Sequence, residues 1–276
     1  MKKLLLSLCA AMFLFAGCSS NETQKENEGR KVLKVGMECN YAPFNWTDPE
    51  ANEFNVPLSS GGYADGYDVA IAKRIADSLD MDLEIVKMEW DALTTSVNSG
   101  IIDLIIAGMT DTPERRMEID FTDSYYQSDM TIIVRSDSPY ANATKLSDFS
   151  GAKIAGQMGT LYDTVIDQIP GVEHATAMET YPLLVQALLS GVVDGVTAET
   201  PVGQGNVAAN GTALTLIEFA PGNGFDVDLT DTSVSIGIKK DSELFDDVQK
   251  ALAEITQEER VQLMKDAASR QPANEE

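Results

Sequence analysis

Two stretches decide how the chain folds: "SGIIDLIIAGMTDTP" at residues 99–113 and "SGVVDGVTAETP" at residues 190–201. Each runs Ser-Gly, two β-branched residues, Asp, a strand-like run and then Thr-Pro. An apolar helical pattern precedes each one. Thr before Pro marks a helix start: the hydroxyl can cap a free N–H, and Pro fits the first helical position. Each stretch therefore predicts a turn, a buried strand and a new helix. Ser-Gly and Thr-Pro are common punctuation, so the match is too short to prove a repeat. It points to two similarly built α/β units.

The surrounding pattern agrees. Strands are predicted at 32–37, 83–88, 104–107, 131–135, 152–157 and 192–197, and at "LTLIEF" and "SVSIGIKK". Helices are predicted at 67–79, 91–98, 181–189, 242–255 and 257–269. In the first of these, Ile71, Ile75 and Leu79 recur at helical spacing, which builds one apolar face. Strands alternating with helices form parallel sheets covered on both faces. Ligands of such sheets bind outside the carboxyl ends of the strands. Two units facing each other would hold a ligand in the cleft between them.

The ends and the composition narrow the class. Residues 1–17 read as an export signal: Lys2 and Lys3, then an apolar run from Leu4 to Ala16, then "FAGC". That run is too short to span a membrane. The Ala-Gly-Cys ending resembles the lipobox of bacterial lipoproteins, which makes Cys18 a lipid acceptor, with Phe15 standing where a leucine is usual. An ordinary cleaved signal is the alternative. Residues 18–30 lack apolar side chains and read as a flexible tether. Cys9 falls in the signal, so Cys39 is left alone in the body and no internal disulfide is expected. The formal charge is −24, and −26 once Lys2 and Lys3 are removed. That disfavours nucleic acid and anionic membrane surfaces as partners.

Four segments then carry a family resemblance: "GMECNYAPFNW", "GGYADGYDVAIAKRIADSL", "EWDALTTSVNSGIIDLIIAGMTDTPERRMEIDFTDSYY" and "GAKIAGQMGT", in that order. Together they resemble the extracellular solute-binding proteins of family 3, which serve polar amino-acid ABC importers. The resemblance covers about residues 31 to 270. It implies an α/β, two-lobed, periplasmic-binding-protein-like fold of type II, with a ligand cleft and two crossover strands. On that pattern lobe one is 31–133 plus 238–276 and lobe two is 136–234, with "TIIVR" and "SVSIG" as the crossings. It also implies a monomer that delivers an amino acid to permease subunits, held on the outer face of the cell membrane by a lipid anchor. No cofactor, metal or catalysis is expected.

An amino acid brings a carboxylate and an ammonium, and burying either unpaired costs several kcal/mol. Arg115 lies in the first turn after Thr112–Pro113, and the resemblance makes it the bidentate carboxylate partner. From the residues alone it is equally a solvated helix arginine, as its neighbour Arg116 shows. Thr110 adds a hydroxyl, and N–H groups near Gly159 and Thr160 favour an anion. Glu199 matches the family's acidic ammonium position, with the Gly108 carbonyl as a second acceptor. A glutamate beside a helix start is also favoured by the helix dipole. Glu38, Tyr41 and Trp90 match positions facing the ligand side chain. A carboxylate between aromatic rings suits a guanidinium, so arginine is expected first, then lysine or histidine. Phe44 reads as core, and Cys39 as a small buried filler.

The chain departs from the family at Ala107, Gly108 and Leu161, where hydroxyl-bearing residues are common. The site is therefore expected to lean on backbone groups. A neutral ligand such as glutamine remains the alternative, with Glu38 turned away or paired to a protein group. A dehydratase on the same fold is disfavoured, because the one histidine, His174, sits in a loop-like segment without a catalytic set. A role in sensing or adhesion is not excluded by any of these residues.

Overall fold

A computed structural model describes residues 30–228 and 232–272. The predicted signal, the lipid acceptor Cys18 and all of the predicted tether except Arg30 lie outside the described residues. Two five-stranded sheets form the frame. The first runs in the order Asp82–Lys87, Val32–Met37, Leu104–Ile105, Ser233–Lys239, Ile119–Gln127. Its first three strands are parallel, and Ser233–Lys239 is antiparallel to both neighbours. The second runs Glu173–His174, Lys153–Ala155, Gly195–Glu199, Met130–Arg135, Leu214–Ile217. Here too the first three are parallel, and Met130–Arg135 is antiparallel to both neighbours.

The two sheets thus share one plan. Leu104–Ile105 and Gly195–Glu199 hold the same slot, and these are the strands inside the two Ser-Gly…Thr-Pro stretches. Leu104, Ile105, Val196 and Ala198 are all fully buried, as strands covered by helices on both faces must be. The chain forms two lobes, one on each sheet, each with its own parallel core.

Sheet membership changes the expected crossings. Thr131–Arg135 does not bridge the lobes. It belongs to Met130–Arg135, a strand hydrogen-bonded on both sides within the second sheet. Ser233–Lys239 lies wholly in the first sheet, so residues 233–234 pair there as well. The chain changes sheet at Ser128–Asp129 and again between Ile217 and Ser233. Both strands are apolar enough to be central, and a central strand needs partners on both edges to satisfy its N–H and C=O groups. Ile119–Gln127, "IDFTDSYYQ", is the longest of the strands that escaped the sequence reading. It carries polar residues at most of its outward positions and pairs with Ser233–Lys239 through irregular register.

Helix starts repay comparison. At Pro113–Arg116 the expected cap is present: Thr112 Oγ1 accepts from Arg115 N at 3.3 Å. At Thr200–Ala209 the cap position falls on Glu199, which makes no side-chain cap bond. Thr200 instead donates its hydroxyl to the Asp129 carbonyl at 3.1 Å. The expectation of the same cap chemistry at both helices is corrected there, because Glu199 turns its carboxylate into the cleft.

A small four-stranded sheet, Asn40–Tyr41, Asn45–Asp48, Tyr63–Asp65 and Val56–Pro57, sits on the first lobe. It ends at Gly66, whose φ is 130°. A Cβ there would lie 2.2 Å from the Phe44 carbonyl oxygen, so only glycine lets the helix Tyr67–Ser78 start so close to that loop. Among the described residues no helix is long and apolar enough to cross a membrane.

Candidate functional site

All nine residues expected to contact a ligand lie at or just beyond the carboxyl ends of strands. Glu38 and Tyr41 follow Val32–Met37, and Trp90 follows Asp82–Lys87. Gly108, Thr110 and Arg115 follow Leu104–Ile105, Gly159 and Thr160 follow Lys153–Ala155, and Glu199 ends Gly195–Glu199. That is the face where open α/β sheets bind ligands. Six of the nine, Tyr41, Trp90, Gly108, Thr110, Arg115 and Thr160, line one narrow cavity with Gln157 and Tyr162. The other three are one hydrogen bond behind its wall. Glu199 is bonded to Tyr41, Gly159 to Arg115 and Glu38 to Gln157.

Arg115 spans the lobes. Its Nη1 donates to the Thr110 carbonyl at 2.7 Å and its Nη2 to the Gly159 carbonyl at 3.1 Å. The guanidinium carbon stands 5.2 Å from the Trp90 ring centroid, within cation–π reach. Burial lowers its pKa, yet a guanidinium stays charged at neutral pH. The result is a fixed cation, held by carbonyls and a ring face, with no carboxylate partner among the described residues.

Glu199 is fully buried. Its Oε1 accepts from the Tyr41 hydroxyl at 2.5 Å and its Oε2 from Ser128 Oγ at 3.0 Å. Burial raises this carboxyl to about 7, and the hydrogen bonds oppose the rise. Tyr41 reaches Glu199 while stacked on Phe44, with centroids 5.5 Å apart and planes 8° apart, and with its edge against Tyr181. Phe44 is fully buried and edge-on to Tyr67 and Tyr126, so it pins the loop.

Glu38 is also buried, and both its oxygens lie 3.3 Å from Gln157 Nε2. Burial raises it to about 7. Gln157 pulls the other way, and the charges of Glu89 and Asp91 push it further up. Glu89 and Asp91 line a second hollow with Trp90, Met158 and Glu179, beside the first. The mouth of the cavity is therefore acidic. Charge of one sign around a low-dielectric opening concentrates ions of the other sign.

A buried polar chain holds the first-lobe loops. Asp68, in the first turn of Tyr67–Ser78, accepts from Tyr125 Oη at 2.7 Å and from Asn45 Nδ2 at 2.8 Å. The Tyr125 oxygen accepts from Gly108 N at 3.0 Å, and Asn45 Oδ1 accepts from Cys39 N at 2.7 Å. Gly108 sits at φ 61°, and a Cβ there would press within 3.0 Å of the Tyr41 ring. Cys39 is buried, with its thiol raised to about 12 by burial, so it is inert filler. His174 is exposed and lies between Asp163 and Asp167, with nitrogen–oxygen distances of 2.9 and 2.8 Å. It is far in function from the cavity lining, which holds no histidine.

Sequence reasoning missed Gln157, Tyr162, Ser128 and the Asp68 chain. Gln157 had a visible signal: an amide directly after the apolar strand "KIAG". Ser128, 71 residues from Glu199 in the chain, and Tyr162 had none.

The model for bacterial extracellular solute-binding proteins, family 3, matches residues 33–267. The arginine-binding extracellular protein ArtP of Bacillus subtilis is 30% identical over 263 residues, covering 92% of this chain and 93% of that one. A Streptococcus pneumoniae amino-acid ABC transporter substrate-binding protein, solved bound to L-arginine, superposes with a TM-score of 0.71 at 28% identity. That match covers 86% of this chain and 94% of the other. An ancestral arginine-binding protein solved bound to glutamine gives a TM-score of 0.71 at 26% identity, covering 86% and 98%. With a matching family model, a relative along nearly its whole length and the same two-lobed fold, this chain belongs to the bacterial extracellular solute-binding proteins of family 3.

Proposed function

We propose that the protein is the capture component of an amino-acid ABC importer, and that its ligand is a cationic amino acid, arginine before lysine or histidine. The observation that carries this is the pairing of Arg115, a cation with no carboxylate partner among the described residues, with the buried Glu199 across one cleft. Arg115 and Thr110 take the α-carboxylate, with N–H groups near Gly159 and Thr160. Glu199 and the Gly108 carbonyl take the α-ammonium. Trp90 and Tyr41 flank the side chain, and Glu38 with the acidic mouth of Glu89, Asp91 and Glu179 selects positive charge. Arginine-binding relatives support the same choice.

The hydrogen bonds of Glu38 to Gln157 favour one second reading. Glu38 can be satisfied by a protein amide, as a neutral ligand such as glutamine would require. Glu38→Gln separates the two. It weakens arginine selectively on the first reading and leaves glutamine unchanged. Equal loss for both ligands assigns Glu38 a structural role.

The lobes close as a hinge around the links at Ser128–Asp129 and between Ile217 and Ser233, and the closed form is what the permease receives. Cys18 carries a lipid that holds the protein on the outer face of the cell membrane. Cys18→Ser should release the protein into the medium, and an unchanged membrane fraction would refute the anchor. The reading is a binding protein rather than an enzyme. Turnover of a cyclohexadienyl acid would overturn it.

A further inference from the structure

Tyr162 is the feature that the reading above leaves unused. It stands on Leu161–Thr164, directly after the Gly159–Thr160 loop. Its ring lines the cavity with Gly108, Thr110 and Arg115. The side chain is buried, 4% exposed, and its hydroxyl has no hydrogen-bond partner. The hydroxyl stands close enough to the Glu199 carboxylate and the Tyr41 hydroxyl to interact with both, lowering the Glu199 pKa, but makes a well-formed hydrogen bond to neither. It also faces the charge of Arg115. A buried phenol left unpaired is costly, and such groups are rare enough to need a reason.

The residue is held firmly. Its own carbonyl accepts from Thr197 Oγ1 at 2.5 Å, and a Cβ on Gly156 would come within 2.5 Å of that carbonyl. The main chain of Tyr162 is thus fixed, and its side chain lines the cavity alongside Arg115 and close to Glu199, the groups proposed to receive a ligand's two charges. An ammonium has three N–H donors and needs three acceptors. Glu199 and the Gly108 carbonyl supply two. Ala107, Gly108 and Leu161 supply no side-chain hydroxyl where one would make the third.

We infer that the Tyr162 hydroxyl is the third acceptor for the ligand's α-ammonium, and that it helps the site distinguish α-amino acids from the same molecules without the amino group. This rests on the amino-acid reading of the cleft. Burial raises the phenol well above its ordinary value, so it stays a neutral acceptor over the whole physiological range.

The test uses the purified protein and its Tyr162→Phe variant. Two ligands are compared by calorimetry and by thermal shift up to millimolar concentration: L-arginine and 5-guanidinopentanoate, which lacks only the amino group. The expected result is an arginine affinity about tenfold lower in the variant, an unchanged affinity for 5-guanidinopentanoate and a ligand-free Tm that is unchanged or higher. Equal loss for both ligands, no loss for arginine or a fall in ligand-free Tm would overturn the assignment while leaving the amino-acid reading intact. Failure of the unmodified protein to bind any amino acid would overturn both.

Discussion

Glu38 and Glu199 stand near neutrality in a site meant for charge, and this has consequences for pH. Both carboxyls are raised from 4.5 to about 7 by burial, and Asp68 behind them is raised from 3.8 to about 7. In the unfolded chain these groups ionise first, so between about pH 4.5 and 7 the folded state holds the extra protons. Their contribution to stability is fully present at lower pH and is lost as pH rises through 7. The ligand-free Tm should therefore fall from about pH 5 to pH 8, with a smaller fall in Glu38→Gln. A cation beside these groups favours their ionised forms, so arginine binding should release protons. Its affinity should rise with pH over the same window, by up to about tenfold per unit for each proton released. Calorimetry in buffers of different ionisation enthalpy counts those protons, and a flat or falling affinity contradicts the placement. Arg115→Ala should weaken every amino acid by about a hundredfold or more, since a buried ligand carboxylate loses its partner. Arg115 and Glu199 could be named from the sequence through the family resemblance, since from the residues alone Arg115 reads equally as a solvated helix arginine and Glu199 as a glutamate at a helix start. The Glu38–Gln157 pair could not, because its partners are 119 residues apart and meet only across the cleft.

At the scale of elements, the two Ser-Gly…Thr-Pro stretches were legible in the sequence, and the equivalence they suggested is real in the sheets. Their helix starts then diverge for a physical reason. In the first, Thr112 caps the N–H of Arg115, so the cap and the proposed carboxylate partner share one turn. In the second, the cap position holds Glu199, whose carboxylate is committed to Tyr41 and Ser128. Thr112→Ala should cost about 1 kcal/mol in chemical denaturation and should also weaken ligand binding, because it loosens the turn that carries Arg115. Thr200→Ala should cost the helix less, since that hydroxyl binds the Asp129 carbonyl instead of a helical N–H. Equal costs would show that the two starts are the same. What stayed hidden was Ile119–Gln127. Its polar outward residues weaken the apolar alternation that marks a strand, and its main-chain partner comes from the far end of the chain. The small sheet was hidden likewise, because strands of two to four residues carry too few side chains to show a period.

Taken whole, the molecule is two sheets of one plan joined twice, with every predicted ligand residue on the facing strand ends. Among the described residues, bonds that cross between the lobes include Tyr41 to Glu199, Arg115 to Gly159, and Gln157 to Glu38. Each uses a group that a ligand would also engage, so binding and closure act on the same atoms. The two-lobed architecture was readable from alternation and from the family motifs. The position of the crossings was not, because an apolar strand looks the same whether it bridges two sheets or lies within one. The central claim, that the cleft selects a cationic amino acid, is tested most directly by titrating the purified protein with arginine, glutamine and glutamate in turn. The account predicts tight binding of arginine, weaker binding of glutamine and none of glutamate. A ligand at a hundred times its Kd would stabilise the fold by about 2.7 kcal/mol, a shift that thermal unfolding reads easily. Glutamate binding as tightly as arginine, or a response to none of the three, would contradict it.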